Sequence, residues 1–250
     1  MSKIRLENIT FSYDDSPVLR NVSLEIPERQ VTVLFGPAQS GKTTLLRLLN
    51  RLIDLLDSYK MSGRVLLDGQ DIYAPGIAVT ELRRRVGMVF AVPIPLPGTI
   101  RENIAYGLTL KGVRNRGEIE GRVETALRAA ALWDEVSDRL DSPAVALSGG
   151  QQQRLCLARI LALEPEVIIL DNPTSGLDPI STAKVEASLE LLKKRYTIIL
   201  VPHSVQQAAR VADRAAFLLG GELIEVGDPD QIFTRPRDKR TRDYVEGRFG

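Results

Sequence analysis

The 250-residue sequence has little cysteine, no long apolar run and no excess of either charge. Its single cysteine, Cys156, excludes an internal disulfide and fits a reducing compartment such as the cytosol. No stretch approaches the roughly 18 apolar residues that span a bilayer, and the first residues lack the apolar core of a secretion signal. The net charge of +1 gives no general attraction to nucleic acid, which is therefore not an expected partner.

The composition is that of an ordinary globular protein, with 44% hydrophobic and 26% charged residues. The length is sufficient for one large or two small domains with a buried core. If the protein works at a membrane, we expect a partner to supply the membrane-spanning part.

Short apolar runs alternate with helical patterns along the chain. This alternation predicts a mainly parallel sheet with crossover helices, whose strands, covered on both faces, are residues 31–35, 86–90, 167–170 and 197–201. Two earlier strands are predicted around residues 4–11 and 18–26, with a turn at residues 14–17. A mostly helical stretch at about residues 99–146 interrupts the alternation and predicts an inserted helical lobe.

Residues 36–43 match the pattern G-x-x-x-x-G-K-[ST] in full. They follow a predicted strand and precede an apolar helical run, which is the context that distinguishes a phosphate loop from a chance glycine-rich turn. The glycines let backbone N–H groups surround phosphate oxygens, Lys42 reaches the β- and γ-phosphates, and the Thr43 hydroxyl is a ligand for Mg²⁺. Asp171 ends the third core strand, so we expect it to face this loop and to hold Mg²⁺ through water.

A second anion site is predicted at residues 147–151, Leu-Ser-Gly-Gly-Gln. Small residues ahead of a helix leave backbone N–H groups and the Ser148 hydroxyl facing outward, in the direction of the positive end of the helix dipole. The alternative is an ordinary serine-capped helix.

Residues 147–151 resemble the signature motif of the ATP-binding cassette (ABC) ATPases, and the companion motifs occur in that family's order. The resemblance implies an α/β fold: a P-loop NTPase core, an antiparallel β subdomain and an inserted helical lobe in one ABC nucleotide-binding domain, residues 1–250. The expected core lobe is residues 1–91 and 151–250, and the expected helical lobe is approximately residues 92–150.

The same resemblance implies ATP and Mg²⁺ as cofactors and a homodimer, or a pair with another ABC subunit. The signature of one chain then faces the γ-phosphate of ATP on the other chain. By resemblance, Asp178 lies at the dimer contact, His203 contacts the γ-phosphate and Tyr13 stacks on adenine. The residues predicted to contact nucleotide are Tyr13, Gly36, Pro37, Ala38, Gln39, Ser40, Gly41, Lys42, Thr43, Thr44, Ser148, Gly149, Gly150, Gln151 and Asp178. The predicted metal ligands are Thr43 and Asp171. The predicted catalytic residues are Lys42, Asp171, Asn172 and His203.

Four segments are similar to the ATP-binding subunit of bacterial phosphate importers: residues 82–90, 131–136, 147–156 and 241–250. This similarity implies a phosphate-importing transport ATPase that works with transmembrane permease subunits and, indirectly, with a solute-binding protein. The expected location is cytoplasmic, peripheral on the inner face of the cell membrane. The phosphate assignment rests on the resemblance alone.

The chain departs from the family pattern at two functional positions. Asn172 stands where the family has the glutamate that acts as general base, and an amide cannot take a proton at neutral pH. Ala91 stands where the family has the Q-loop glutamine, and no glutamine occurs between Gln70 and Gln151. Loss of a general base typically costs about 10²–10⁴ in rate. A milder departure is Pro202, which replaces the usual threonine before His203.

Two hypotheses therefore remain open. In the first, the protein is a working transport ATPase whose sandwich of two ATP molecules drives the membrane subunits. In the second, it is a nucleotide-dependent clamp or regulatory module that dimerises but scarcely hydrolyses ATP. Replacement of the glutamate is also a means of trapping a closed dimer, but glutamine is the isosteric choice for that purpose, so the asparagine favours a natural variant.

Overall fold

The computed structural model describes residues 2–248 and shows an α/β fold with two sheets. Met1, Phe249 and Gly250 lie outside the described residues, and with them the ends of the predicted 1–250 domain and of segment 241–250. The strands are β1 (Ser2–Tyr13), β2 (Ser16–Pro27), β3 (Val31–Phe35), β4 (Lys60–Leu67), β5 (Gln70–Asp71), β6 (Val86–Val89), β7 (Val167–Asp171), β8 (Thr197–Val201), β9 (Arg214–Leu219) and β10 (Glu222–Gly227). The α-helices are α1 (Lys42–Leu49), α2 (Val79–Arg85), α3 (Ile100–Leu110), α4 (Arg116–Ala129), α5 (Trp133–Val136), α6 (Gly149–Leu161), α7 (Pro179–Leu192), α8 (Val205–Val211), α9 (Pro229–Thr234) and α10 (Lys239–Val245).

The larger sheet has six strands in the order β10-β9-β3-β8-β7-β6. The pairs β9–β3, β3–β8, β8–β7 and β7–β6 are parallel, and β10 is antiparallel to β9. All four core strands predicted from apolar runs are present, which confirms the mainly parallel sheet. The fifth parallel strand, β9, was not predicted, because its run Arg-Ala-Ala-Phe-Leu-Leu has no β-branched residue.

The smaller sheet is antiparallel, in the order β2-β1-β4-β5, which confirms the predicted antiparallel subdomain. Apolar side chains of β1, such as Ile4 and Leu6, pack with Leu45 and Leu46 of α1 in one buried cluster. The turn between β1 and β2 is shorter than predicted, because Ser16 and Pro17 already belong to β2. The strands β4 and β5 were not predicted from the sequence.

The helices α3, α4 and α5 lie between β6 and α6 in the chain, with a short 3₁₀ turn at Ala144–Ala146, so the helical stretch predicted at residues 99–146 is confirmed. A Thr99–Glu102 capping box starts α3. Buried residues of this region, including Ile104, share one apolar cluster with Val33 of the parallel sheet. The helix α6 runs through the boundary predicted at residues 150 and 151; the division into core and helical lobes stays a prediction.

The carboxyl ends of the parallel strands bring several predicted site residues to one edge of the sheet. The phosphate loop follows β3, Asp171 ends β7 and His203 follows β8. This edge is where α/β sheets bind ligands. Within residues 2–248, no helix is both long enough and apolar enough to cross a membrane.

Candidate functional site

The loop between β3 and α1 has a backbone that demands glycine at two positions. Gly36 and Gly41 have φ angles of 144° and 89°, which L side chains rarely adopt. A Cβ on Gly36 would lie 2.0 Å from the carbonyl oxygen of Leu218, and one on Gly41 would lie 2.6 Å from Leu19 Cδ2. No side chain caps the N-terminus of α1. The loop therefore packs against the protein with its backbone and leaves helix N–H groups available for an anion.

Lys42 points back over this loop. Its ammonium donates to the carbonyl oxygens of Gly36 and Pro37, at 2.9 and 2.6 Å, and to Ser40 Oγ at 3.2 Å. Burial lowers the pKa of Lys42, and the charge of Asp171 opposes this only in part. The carbonyl groups are weak partners for a cation, so a phosphate oxygen at the loop is a better one.

Thr43 and Asp171, the two predicted metal ligands, are in direct contact. The Thr43 hydroxyl donates to Asp171 Oδ2 at 2.9 Å, and Asp171 is buried at the end of β7. One hydroxyl and one carboxylate form the small oxygen donor set that suits Mg²⁺ in phosphate sites, where phosphate and water complete its coordination. Among residues 2–248 no group of three or more His, Cys, Asp or Glu is placed to form a metal cage. The residues present thus fit Mg²⁺ bound together with a nucleotide.

Asn172 lies beside this pair, at the position where the resemblance predicts a general base. Its φ of 48° is in the left-handed region, which asparagine tolerates better than most residues. Its side-chain Nδ2 lies 3.4 Å from Asp171 Oδ1. Together with the phosphate loop it lines a cavity of about 350 Å³, bounded among the described residues by Val18, Ala38, Gln39, Ser40, Gly41, Lys42, Thr43, Thr44 and Asn172. None of these is a carboxylic acid.

His203 is exposed after β8, and its backbone is held by a residue that the sequence analysis missed. The His203 N–H donates to Gln207 Oε1 at 2.9 Å, and the Thr174 hydroxyl donates to the same oxygen at 3.1 Å. Gln207 is only 3% exposed. It joins the His203 loop to the segment after Asp171, a link with no motif in the sequence to mark it.

Tyr13 lies near the phosphate loop, where its hydroxyl is 3.0 Å from Thr44 Oγ1. Its ring packs edge-on against Phe11, with ring centroids 5.0 Å apart. Tyr13 is only partly buried, and its stacking on adenine stays a prediction.

The serine-glycine turn starts α6 as predicted, but away from the phosphate-loop cavity. Ser148 Oγ accepts from Gln151 N at 3.3 Å and Gln151 Oε1 accepts from Ser148 N at 3.0 Å, a reciprocal capping box. Ser148 and Gly149 are exposed, and neither lines the cavity beside Lys42. One chain alone therefore does not bring its signature turn to its own phosphate loop.

Asp178, predicted at the dimer contact, lies at the start of α7 on the surface of the chain. Its Oδ1 accepts from the backbone N–H groups of Ile180 and Ser181, both at 2.9 Å, and so caps α7. The Asp178 side chain therefore stabilises the turn at the start of α7.

A glutamine with no role predicted from the sequence, Gln153, contacts the backbone next to Ala91. Gln153 is buried in α6, and its Nε2 donates to the carbonyl oxygen of Phe90 at 2.9 Å. Its Oε1 is buried and has no partner in the part of the chain that the structure describes. The signature helix therefore contacts the backbone just before Ala91, although Ala91 itself offers no polar side-chain atom.

The fold and this site define a phosphate-loop nucleoside triphosphatase domain with a helical insertion. The chain belongs to the ABC transporter family, whose profile matches residues 19–175, more than half of its length. It carries the ABC ATPase domain of a transporter, a domain that binds ATP.

Two solved structures show the same fold over almost the whole chain. CbiO1 from Clostridium perfringens, described as part of the ABC transporter complex CbiONQ, is 28% identical with a TM-score of 0.82, over 99% of this chain and 96% of that one. A bacterial Atm1-family ABC exporter with ATP bound is 27% identical with a TM-score of 0.81. That match covers 99% of this chain and 42% of the exporter chain, so the present chain spans less than half of the exporter's length.

Proposed function

We propose that this chain is the ATP-binding and ATP-hydrolysing subunit of an ABC importer for inorganic phosphate, and that it works as a head-to-tail dimer. The observation that carries the dimer is the separation of two anion sites within one chain. The phosphate-loop cavity is lined without Ser148, and Ser148 and Gly149 are exposed on a separate turn. A second copy, turned head to tail, supplies the signature turn to each cavity.

The contacts of Lys42, Thr43 and Asp171 support the roles proposed for them. The N-terminal N–H groups of α1 bind phosphate oxygens, and Lys42 exchanges its carbonyl partners for the β- and γ-phosphates. Thr43 and Asp171 hold Mg²⁺, which when bound neutralises charge on the phosphates. Tyr13 stacks on adenine, and His203 contacts the γ-phosphate.

Asn172 controls the rate of hydrolysis in this proposal. Its amide lies at the cavity and can orient a water by hydrogen bonds, but it cannot accept the proton of that water. The loss typically costs about 10²–10⁴ in rate. Hydrolysis therefore occurs slowly, with the proton passing to phosphate itself.

Exposed apolar side chains support the proposed partners. Val92 is 70% exposed and Ile94 63% exposed in the segment after β6, and Tyr106 and Leu110 are exposed on the neighbouring helix α3. These exposed apolar side chains suit contact with transmembrane permease subunits, and the proposed location, by resemblance, is the cytoplasmic, inner face of the membrane. Ile180, next to the Asp178 turn, is 71% exposed and suits the dimer contact.

The phosphate substrate and the direction of transport are supported by the resemblance of residues 82–90, 131–136, 147–156 and 241–250 to phosphate-importer subunits. The test is uptake of radiolabelled phosphate by cells with and without the intact chain, with uptake of a second solute as the control. We expect loss of phosphate uptake alone. Normal phosphate uptake would refute phosphate as the transported substrate and would not bear on the assignment of the ATP site.

The cavity lining favours a second candidate function, a nucleotide-dependent clamp with little ATPase activity. No carboxylic acid lines the cavity among the described residues, and Ala91 lacks the Q-loop amide. Steady-state hydrolysis of the purified chain beside its Asn172→Glu variant separates the two functions. If only the variant hydrolyses ATP appreciably, the clamp is correct. If the native chain turns over at a measurable rate that the substitution increases, it is a slow motor.

A further inference from the structure

The carboxylate of Glu135, on α5, accepts hydrogen bonds from residues on two other helices. Its Oε2 accepts from Gln151 Nε2 at 2.9 Å, and Arg154 donates to its two oxygens at 2.8 and 3.0 Å. The ammonium of Lys184, on α7, also contacts it. Arg154 is 2% exposed, so this ion pair lies largely out of water. The hydrogen bonds from Arg154, with those from Lys184 and Gln151, hold the pKa of Glu135 at about 2, so it stays ionised at any physiological pH.

One branch of this network ends at the signature serine. Gln151 uses its amide N–H group on Glu135 and its amide oxygen on the backbone N–H of Ser148, at 3.0 Å. These two contacts require opposite ends of the amide, so they fix its orientation. Gln151 thereby connects Glu135 to the turn that carries Ser148.

The other branch ends at the Asp178 turn. Lys184 lies on α7, the helix that Asp178 caps. Gly150 lies directly against the start of this helix, since a Cβ at Gly150 would be 2.6 Å from Ser181 Oγ. The Ser181 hydroxyl in turn donates to Asp178 Oδ2 at 2.6 Å. The first turns of α6 and α7 are therefore in contact, and Glu135 contacts both helices, through Gln151 and Arg154 on α6 and Lys184 on α7.

We propose that Glu135 is a positioning residue that holds the Ser148 turn and the Asp178 turn of one chain as a single rigid surface for the nucleotide on the partner chain. The inference rests on the proposed head-to-tail dimer. It has a consequence that an ordinary stabilising ion pair lacks: Glu135 acts on the partner's ATP and leaves its own chain's ATP unaffected.

The experiment places Glu135→Gln on one or the other chain of a defined pair. A tagged chain carrying Lys42→Ala captures an untagged wild-type chain present in excess, with Mg-ATP at a concentration that saturates the wild-type phosphate loop but leaves the Lys42→Ala loop largely empty. The one working site then joins the wild-type phosphate loop to the signature turn of the tagged chain. Capture of this reference pair with and without ATP measures the dimer itself.

We expect Glu135→Gln on the tagged chain to weaken ATP-dependent capture about tenfold or more, within the usual range of site-to-site coupling. The same substitution on the untagged chain, whose signature faces the empty loop, should leave capture close to the reference. Equal effects in the two arrangements would overturn the positioning role and leave a general stabilising pair. A reference pair that shows no ATP-dependent capture would instead refute the proposed dimer.

Further variants guard against misfolding. Gln151→Met cuts only the branch to Ser148 and leaves the buried Glu135–Arg154 pair intact, and we expect the same dependence on which chain carries it. Glu118→Gln, an exposed ion-pair partner of Arg122 in the same helical region, is the matched control and should change capture in neither arrangement. Because Gln151 is itself predicted to contact nucleotide, Lys184→Met, which removes only the contact from Glu135 to α7, is the deciding variant if Glu135→Gln does not fold. An equal effect on either chain would overturn the positioning role.

Discussion

The charged side chains at the two edges of the parallel sheet differ in how they are paired. At the amino edge, Lys3, Asp68, Arg85 and Glu166 form a closed cluster, with Glu166 accepting from Lys3 at 2.7 Å and from Arg85 at 2.6 Å. At the carboxyl edge, the ammonium of Lys42 donates to oxygens of its own loop, two of them carbonyl groups. The charges at the first edge are paired within the chain, whereas at the second edge the Lys42 ammonium has no carboxylate in hydrogen-bond contact, so a bound anion can pair with it.

The two lysines show this difference directly. At Lys3, burial acts to lower the pKa, but hydrogen bonds to Asp68 and Glu166 outweigh it and the pKa is raised. At Lys42, burial dominates and the pKa is lowered. A buried cation without a carboxylate in contact is costly unless a ligand supplies the negative charge. The amino edge therefore stabilises the fold, and the carboxyl edge is arranged for binding.

The largest expected effect comes from adding the missing base at the carboxyl edge. Asn172→Glu should raise steady-state hydrolysis about a hundredfold or more, because a carboxylate can accept the proton of the attacking water. The left-handed backbone at this residue should make the variant slightly less stable. Phosphate release with Mg-ATP measures the rate, and calorimetry measures the stability. Similar, appreciable rates for both proteins would show that another group handles the water.

Lys42→Ala should weaken ATP binding at the carboxyl edge and leave the fold intact. We expect ATP affinity to fall about 10- to 100-fold, the value of a lost charge-assisted contact. Thermal stability should be unchanged or higher, because the substitution removes a partly buried cation. Titration with a fluorescent ATP analogue and Mg²⁺ measures the affinity. An unchanged dissociation constant would contradict the assignment of this edge to nucleotide.

Ser148→Arg should separate ATP binding, which a single chain can do, from ATP-driven dimerisation, which needs a second copy. A bulky side chain on the exposed turn should block ATP-driven dimerisation, while the single chain keeps its ATP affinity, since Ser148 does not line the cavity. Sedimentation velocity with and without Mg-ATP provides the measurement. An undiminished dimer would rule out the sandwich arrangement.

Ala91→Gln should restore a polar side chain at the end of β6. If Ala91 weakens the coupling to the permease, transport-coupled hydrolysis should rise more than basal hydrolysis. The comparison needs the assembled transporter beside the isolated chain. Parallel increases in both would show that this position acts on the chemistry and has no separate role in coupling.

The smallest effect is expected at the amino edge, from Glu166→Gln. Hydrogen bonds from Arg85, then from Lys3, lower the pKa of Glu166 to about 2 from an ordinary value of 4.5. A depressed carboxyl pKa stabilises the fold above about pH 4.5, and this contribution disappears as the pH falls toward 2. Because the cluster is partly exposed, we expect a loss of only about 1 kcal/mol at pH 7. Chemical denaturation at pH 7 and pH 3 should show the difference shrinking, with ATP affinity unaffected; a constant difference would argue against the ion pairs.

The phosphate loop, the four apolar core strands and the capped signature turn could all be predicted from the sequence. Each depends on neighbours within a few residues: glycines at strained φ angles, continuous apolar runs, or a serine three residues before a glutamine. The helical stretch after β6 could be placed for the same reason. These features follow from local backbone and side-chain preferences, which the chain carries wherever it folds.

Only the tertiary structure decided which distant residues support the site. Glu135 lies 16 residues from Gln151 and 49 from Lys184, and Gln207 lies 33 from Thr174. No short-range pattern marks such contacts, because they exist only after α5, α6, α7 and α8 pack together. The strand β9 joined the sheet for a similar reason, since pairing with β3 outweighed its weak β propensity. The sequence by itself determined the parts that are predicted to contact nucleotide, and long-range packing determined the residues that hold those parts in place.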